Sequence, residues 1–273
     1  MRLLAPSAPG AALLGPGPAQ VDEVLPWEGR ETAALLAGES ASGRLSAALA
    51  AAAVVLAFTR SAPLLAALQA HAIRVVAHDP SPPAEGPHAS AWLARALVPL
   101  GVCAGDPPPP LDWSEADHQD ARVRTRHLPP RFVAVHPGSG SPAKNWPADR
   151  FATVARRLAA GHPWLLVLGP AEADAPTFEG ALLARDWPVR TLGAALSRAG
   201  LYLGNDSGVS HLAAASGAPT LALFGPTHPA LWSPVGPRVA TLRATSGLMA
   251  ELAADDIARA AQRLGPGCLT PSA

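Results

Sequence analysis

Apolar positions along this chain fall into short unbroken runs, separated by Ala/Leu-rich stretches with helical spacing. In the first half, Arg2–Ala5 and residues 21–25 read as short strands, and residues 31–37 and 44–51 as helices. Residues 53–58 (AVVLAF) are continuously apolar, the pattern of a strand covered on both faces. Thr59 closes that run, and Ser61 with Pro63 makes a favourable helix start. Residues 73–77 are the next strand, and residues 88–100 a helix ending at Gly101. In the second half, strand 132–136 leads through PGSGSPAKNWP to a helix over 148–160, with Phe151, Val154, Ala155 and Leu158 on one face. Strand Trp164–Leu168 follows, then a helix around 179–184, a helix over 192–198 and a strand over 201–204. A helix over 209–216, strand Thr220–Phe224, a short strand over 239–242 and a terminal helix over 250–264 complete the chain. Strand, helix, strand at this spacing predicts βαβ units and a parallel sheet.

The strongest break is GDPPPPLDW, between Cys103 and Trp113, because four consecutive prolines cannot sit inside a helix or a central strand. Residues 112–125 form a short polar helix, and Pro129-Pro130 punctuates the chain again. These breaks predict two α/β domains, 1–127 and 128–273, with the boundary near residue 127.

Composition narrows the function. A chain of 273 residues can bury two modest cores. A formal net charge of zero offers no broad footprint for nucleic acid. The two cysteines, Cys103 and Cys268, form no C-x-x-C, so a reducing compartment is the default. The start, MRLLAPSAPGAALLGPG, lacks the pattern of a signal peptide, and the longest apolar stretches are too short to span a bilayer. A cytoplasmic protein is expected, with contact between one face and a membrane surface left open. One bias bears on the site: of the 21 basic side chains all but Lys144 are arginine. Asparagine occurs only at positions 145 and 205, and tyrosine only at 202.

Two loops carry the candidate chemistry. His136-Pro-Gly-Ser139-Gly140-Ser-Pro-Ala-Lys144-Asn-Trp146 lies at the carboxyl end of a predicted parallel strand, where open α/β sheets bind ligands. Its Gly and Ser residues can present N–H groups and a hydroxyl to an anion, and Lys144 adds a mobile point charge. A solvated loop with a surface lysine would read the same, but this chain otherwise avoids lysine. The second loop, Gly204-Asn-Asp206-Ser207-Gly208-Val209-Ser-His211, opens a helix, with Asp206 or Ser207 as its N-cap. Gly208 lets a ligand approach the first turn, where unpaired N–H groups attract anions. Neither loop is a Walker A motif, and no G-x-G-x-x-G stands at a strand-to-helix turn. In a third segment, LGPAEAD, Glu172 or Asp174 can hydrogen-bond a ribose or cap a helix. In a fourth, FGPTHP, Thr227 and His228 can line the same pocket.

Together VAVHPGSG, KNWPADRF, LVLGPAE, LSRAGLYLGNDSGVSHLAAASGAPTLALFGPTHP and LWSPVG resemble the glycosyltransferase family 9 heptosyltransferases. The resemblance implies a GT-B fold, two Rossmann-like domains facing across a cleft. The N-terminal one would take the acceptor; the C-terminal one would bind the nucleotide-sugar and carry a closing helix that packs back toward the first. It implies an inverting transfer of a heptose-like sugar from an ADP-heptose-like donor to a glycan or lipopolysaccharide-type acceptor, with no metal or cofactor. By resemblance Ser139, Gly140 and Lys144 hold donor phosphates. Asp206, Ser207, Gly208, Val209 and His211 contact sugar and diphosphate, and Glu172 lies near the ribose.

The sequence departs from the family at its start. No K-x-S-x-x-G-D segment, whose aspartate is the family's expected general base, occurs before Val21. Either the true start lies upstream, or the N-terminal domain lacks its first strand-helix unit. Asp22 is the nearby substitute for the base, with Asp206 the other candidate, and a nucleotide-sugar-binding protein without transfer activity stands as the alternative. A third reading, a nucleotide-sugar epimerase, would draw on His71, His78 and His88.

Overall fold

Strands apolar along their whole length must be covered on both faces, and the second half of the chain meets that demand. The computed structural model describes residues 1–6, 14, 21–40, 42–103, 110–169, 172 and 177–265. Its contacts divide the chain into two units, Met1–Asp106 and Pro107–Ala273.

The first unit contains, among the described residues, two parallel strand pairs. β1 (Arg2–Ala5) pairs with β2 (Glu23–Pro26), and β3 (Val55–Phe58) with β4 (Val75–His78). Helices α1 (Arg30–Leu36), α2 (Gly43–Ala50) and α3 (Ala62–His71) contribute Leu35, Leu45, Leu49, Leu64 and Leu68 to one core with Leu25 and Ala57. Ser61 caps α3 by accepting the Leu64 N–H, as its position suggested. The single helix expected over 88–100 is α4 (Ala89–Ala94) followed by a 3₁₀ turn, Arg95–Leu100. Pro99 lies inside that turn and has no N–H for an α-helical bond.

The second unit begins with α5 (Glu115–Arg124). It continues through β5 (Val133–His136), α6 (Ala148–Ala159), β6 (Trp164–Leu168), β7 (Ala181–Arg185) and α7 (Val189–Leu196). Then follow β8 (Leu201–Asn205), α8 (Gly208–Ala215), β9 (Thr220–Phe224), α9 (Pro229–Trp232), β10 (Val239–Arg243) and α10 (Ala254–Leu264). The six strands form one parallel sheet in the order β7-β6-β5-β8-β9-β10. That is the doubly wound Rossmann order, which reverses direction between β5 and β8. Successive residues serve opposite faces. Val133, Val135, Leu201 and Leu203 pack with α6 and α10, whereas Ala134 and Tyr202 pack on the side of Leu192, Leu196 and Ala213.

Three expectations are corrected. Residues 181–185 are a strand, not part of a helix: Gly180 turns with φ 79°, and Ala181 to Arg185 pair in register with Trp164 to Leu168. The division falls at 106/107 instead of 127, because the segment after the prolines is built onto the second sheet. Leu111 N–H donates to Ala215 O (2.7 Å), Asp117 pairs with Arg190 (2.7 Å), and the Trp113 ring fills the space a side chain at Gly193 would need. The terminal helix starts at Ala254, not at residue 250, and its apolar face (Ile257, Ala258, Ala261) packs on α6 and this unit's own strands.

Candidate functional site

Both sequence-marked loops leave the sheet at its reversal point, one from β5 and one from β8, on neighbouring parallel strands. This is the crevice in which doubly wound sheets bind ligands. Its floor is rigid. His136, the last residue of β5, is buried, and its Nδ1–H donates to Val167 O on β6 (2.9 Å). Burial pushes the His136 pKa below its ordinary value, opposed by that carbonyl and by the Glu172 charge, so the ring is neutral near pH 7.

Asn205 ends β8, wholly buried. Its Nδ2 donates to Pro137 O (2.7 Å) and its Oδ1 accepts the Trp146 N–H (3.1 Å), so one amide ties down both ends of the β5 loop. Within the loop, Ser139 Oγ lies 2.6 Å from Asn145 Oδ1 and 2.8 Å from Ser141 O. A 3₁₀ turn, Pro142–Lys144, then presents Lys144. The Trp146 ring is buried against Phe151, with its Nε1–H on Leu252 O (3.0 Å).

Ser207, not Asp206, caps α8: its side chain accepts the Ser210 N–H. Asp206 is thereby left to turn its carboxylate to the neighbouring loops. Asp206 Oδ2 accepts from Lys144 Nζ (3.2 Å) and from Thr227 Oγ1 (2.8 Å), the latter on the loop after β9. The side chains of Lys144 and Asp206 are 23% and 10% exposed, so the pair lies at a half-buried crevice wall where charge interactions exceed those of the open surface. Beneath it, Ser210 Oγ–H donates to Asn205 O (2.5 Å), so the Tyr202 hydroxyl donates to Ser210 Oγ (3.1 Å). Burial raises the Tyr202 pKa far above its ordinary value, keeping that proton in place.

Glu172 stands at the end of β6. Its Oε2 accepts the Gly169 N–H (2.9 Å), and its carboxylate occupies the space beside Gly138, where a Cβ would stand 1.9 Å from Oε1. Gly140 and Gly208 instead face open space. Val209 is half-buried against the Tyr202 side of the sheet, and His211 is exposed on the first turn of α8.

The structure therefore brings Ser139, Lys144, Asp206, Ser207 and Glu172 to adjoining strand ends. Asp174 lies outside the described residues. Asp22 lies in the first unit, exposed, and its carboxylate pairs with the Met1 amino group. His78 and His88 also have local partners. His78 Nε2–H donates to Trp92 O (2.8 Å), and His88 caps α4. Among the described residues no group of three or more His, Cys, Asp or Glu is placed to hold a metal ion, and no helix is long and apolar enough to cross a membrane. Sequence reasoning missed the roles of Asn205 and Thr227 in holding the site together. The rarity of asparagine was the one signal that pointed to Asn205.

Comparison with known proteins extends this picture. Residues 45–261 match the family described as Glycosyltransferase family 9 (heptosyltransferase). Lipopolysaccharide heptosyltransferase 3 of Escherichia coli is 30% identical over 151 residues, 50% of this chain and 44% of that protein. The chain spans about half the length of the curated relatives it matches. A glycosyl transferase family 9 structure from Veillonella parvula has a TM-score of 0.78 at 19% identity, covering 96% of this chain and 87% of the other. Heptosyltransferase WaaC of E. coli, solved with ADP, has a TM-score of 0.59 at 18% identity, with 90% and 84% covered. At these identities the structural likeness is one of fold, the α/β fold of GT-B heptosyltransferases.

Proposed function

The chain belongs to glycosyltransferase family 9, and from that premise we propose that its second unit binds the diphosphate of an ADP-heptose-like donor for transfer to a lipopolysaccharide-type acceptor. The observation that carries the reading is the Lys144–Asp206 contact at the sheet's reversal point, which joins the two anion-competent loops in one crevice.

In this reading the work of the site is electrostatic. As the sugar C1–O bond breaks, charge develops on the departing diphosphate. Lys144, Ser139, the Gly140 N–H and the N–H groups at the start of α8 (Gly208, Val209) stabilise it without a metal. His211, one turn along, adds a ring nitrogen to the sugar-diphosphate contacts. Asp206, held by Lys144 and Thr227, orients sugar hydroxyls, and Glu172 takes the ribose. Displacement inverts the sugar carbon, so the acceptor oxygen enters opposite the diphosphate. The first unit is assigned to the acceptor.

A second reading, donor binding without transfer, turns on whether a general base serves the acceptor hydroxyl. A positioned base contributes about 10²–10⁴-fold to such a step. Asp22 is a poor substitute, being exposed and tied to Met1.

The deciding experiment is differential scanning of the protein with ADP, UDP and GDP, followed by an ADP-heptose consumption assay with lipopolysaccharide core acceptor. The proposal predicts selective stabilisation by ADP and acceptor-dependent release of ADP. No stabilisation by any nucleoside diphosphate would contradict it. ADP binding with no acceptor-dependent release would favour the second reading.

A further inference from the structure

The loop from Pro137 to Trp146 contains two glycines and two prolines and makes no strand pairing. A segment of this kind samples many conformations unless something holds its ends, and each fixed residue costs entropy. Asn205 bonds to both of them. Its carboxamide donates to Pro137 O and accepts from Trp146 N–H, one bond at each end of the loop, and its side chain is wholly shielded from solvent. Only an amide of this length offers a donor and an acceptor in one plane: aspartate lacks the donor, and leucine lacks both. The next residue along the chain is Asp206, which receives the Lys144 ammonium. Backbone and charge of the same loop are thus governed from one dipeptide at the end of β8.

We propose that Asn205 is a positioning residue for the anion site: by clasping both ends of the 137–146 loop it delivers Lys144 to the crevice before any ligand arrives. The inference rests on the reading of Lys144 as a phosphate ligand. It adds that the loop's affinity for phosphate is set in advance, so binding does not bear the cost of ordering the loop. Asn205 itself touches no ligand.

The test is a double-mutant cycle read with ADP as the probe. Asn205→Ala is expected to weaken ADP binding about tenfold when Lys144 is present and less than about twofold in a Lys144→Ala background, because the two act through one contact. Asn205→Asp gives a second readout. The ionised carboxylate cannot donate to Pro137 O, so the variant should bind ADP weakly at pH 8 and regain affinity relative to wild type at pH 5, where a protonated carboxyl donates again. A purely structural asparagine would lower the melting temperature without either signature. Hydrogen exchange on the wild-type protein removes any dependence on the variants folding. The Trp146 amide should be protected to the same extent with and without ADP.

Protection of Trp146 that appears only with ADP would overturn the proposal, as would additive effects of the two alanine substitutions. ADP binding that needs Lys144 but ignores Asn205 would overturn the positioning role alone. A wild-type protein with no affinity for ADP would overturn the site reading together with it.

Discussion

Lys144 Nζ lies 3.2 Å from Asp206 Oδ2, joining two loops whose residues are 62 positions apart in the chain. The carboxylate holds the chain's one ammonium side chain where the β5 and β8 loops meet. An arriving diphosphate would share that ammonium, and its charge would sit close to Asp206. The arrangement favours a ligand that brings both anionic oxygens for Lys144 and hydroxyls for Asp206. A nucleotide-sugar has both.

Thr227 shares the same carboxylate oxygen, at 2.8 Å. Thr227→Val should leave ADP affinity nearly unchanged and weaken an ADP-sugar about three- to tenfold, because a hydrogen bond to a charged group is worth roughly 1.5–3 kcal/mol and part is recovered by water. Thr227→Ser should restore it. Calorimetry with the two ligands side by side checks this, and equal losses for both would rule out a role through Asp206.

Gly138 leaves room for Glu172: a Cβ there would stand 1.9 Å from Oε1 and 2.2 Å from Cδ. The obstructed group is the end of a flexible side chain, so Gly138→Ala should fold normally while swinging Glu172 away. If Glu172 takes the ribose, the wild type should prefer ADP over its 2′-deoxy analogue and the variant should lose that preference. A preference that survives intact would assign Glu172 to holding the Gly169 turn.

His136 makes stability depend on pH. Its folded pKa lies below the ordinary value of 6.5 because the ring is buried. Below that value the unfolded chain takes up a proton that the folded chain resists, so stability present above pH 6.5 is lost as pH falls through the folded pKa. The slope is at most about 1.4 kcal/mol per pH unit. Urea midpoints should therefore drop between pH 7.5 and pH 5, and His136→Gln, which keeps a donor for Val167 O, should flatten the slope. An unchanged slope would locate the dependence elsewhere.

The fold has its own test at Gly193, where a Cβ would stand 2.2 Å from the Trp113 ring. Trp113 is buried and cannot swing aside, so Gly193→Ala should cost about 1–3 kcal/mol by overpacking. Adding Trp113→Phe should recover part of it. If Gly193→Ala leaves stability untouched, α5 is not built onto the second unit as described.

What could be read from sequence followed from how completely local pattern decided each element. Trp164–Leu168 is apolar throughout, Thr220–Phe224 is apolar after its first residue, and both are buried along their whole length, so their type and bounds were legible. ALLAR at 181–185 suits a helix equally well, and only its pairing with β6 makes it a strand. Helix α5 is mostly polar, so its place could not be read before Trp113 and Asp117 were seen against Gly193 and Arg190. The residues proposed to face the ligand showed through motif and composition. The bonds by which Asn205 and Thr227 support the site did not, because they act across 68 and 21 positions of sequence.

The central claim is that Lys144 holds a phosphate of the donor, and titration calorimetry of ADP against wild type and Lys144→Ala tests it most directly. Removing a charge-assisted hydrogen bond of roughly 1.5–3 kcal/mol predicts affinity lower by one to two orders of magnitude. Lys144→Arg should restore only part of it, since a planar fork does not replace a mobile ammonium. Equal affinity in wild type and Lys144→Ala would contradict the account.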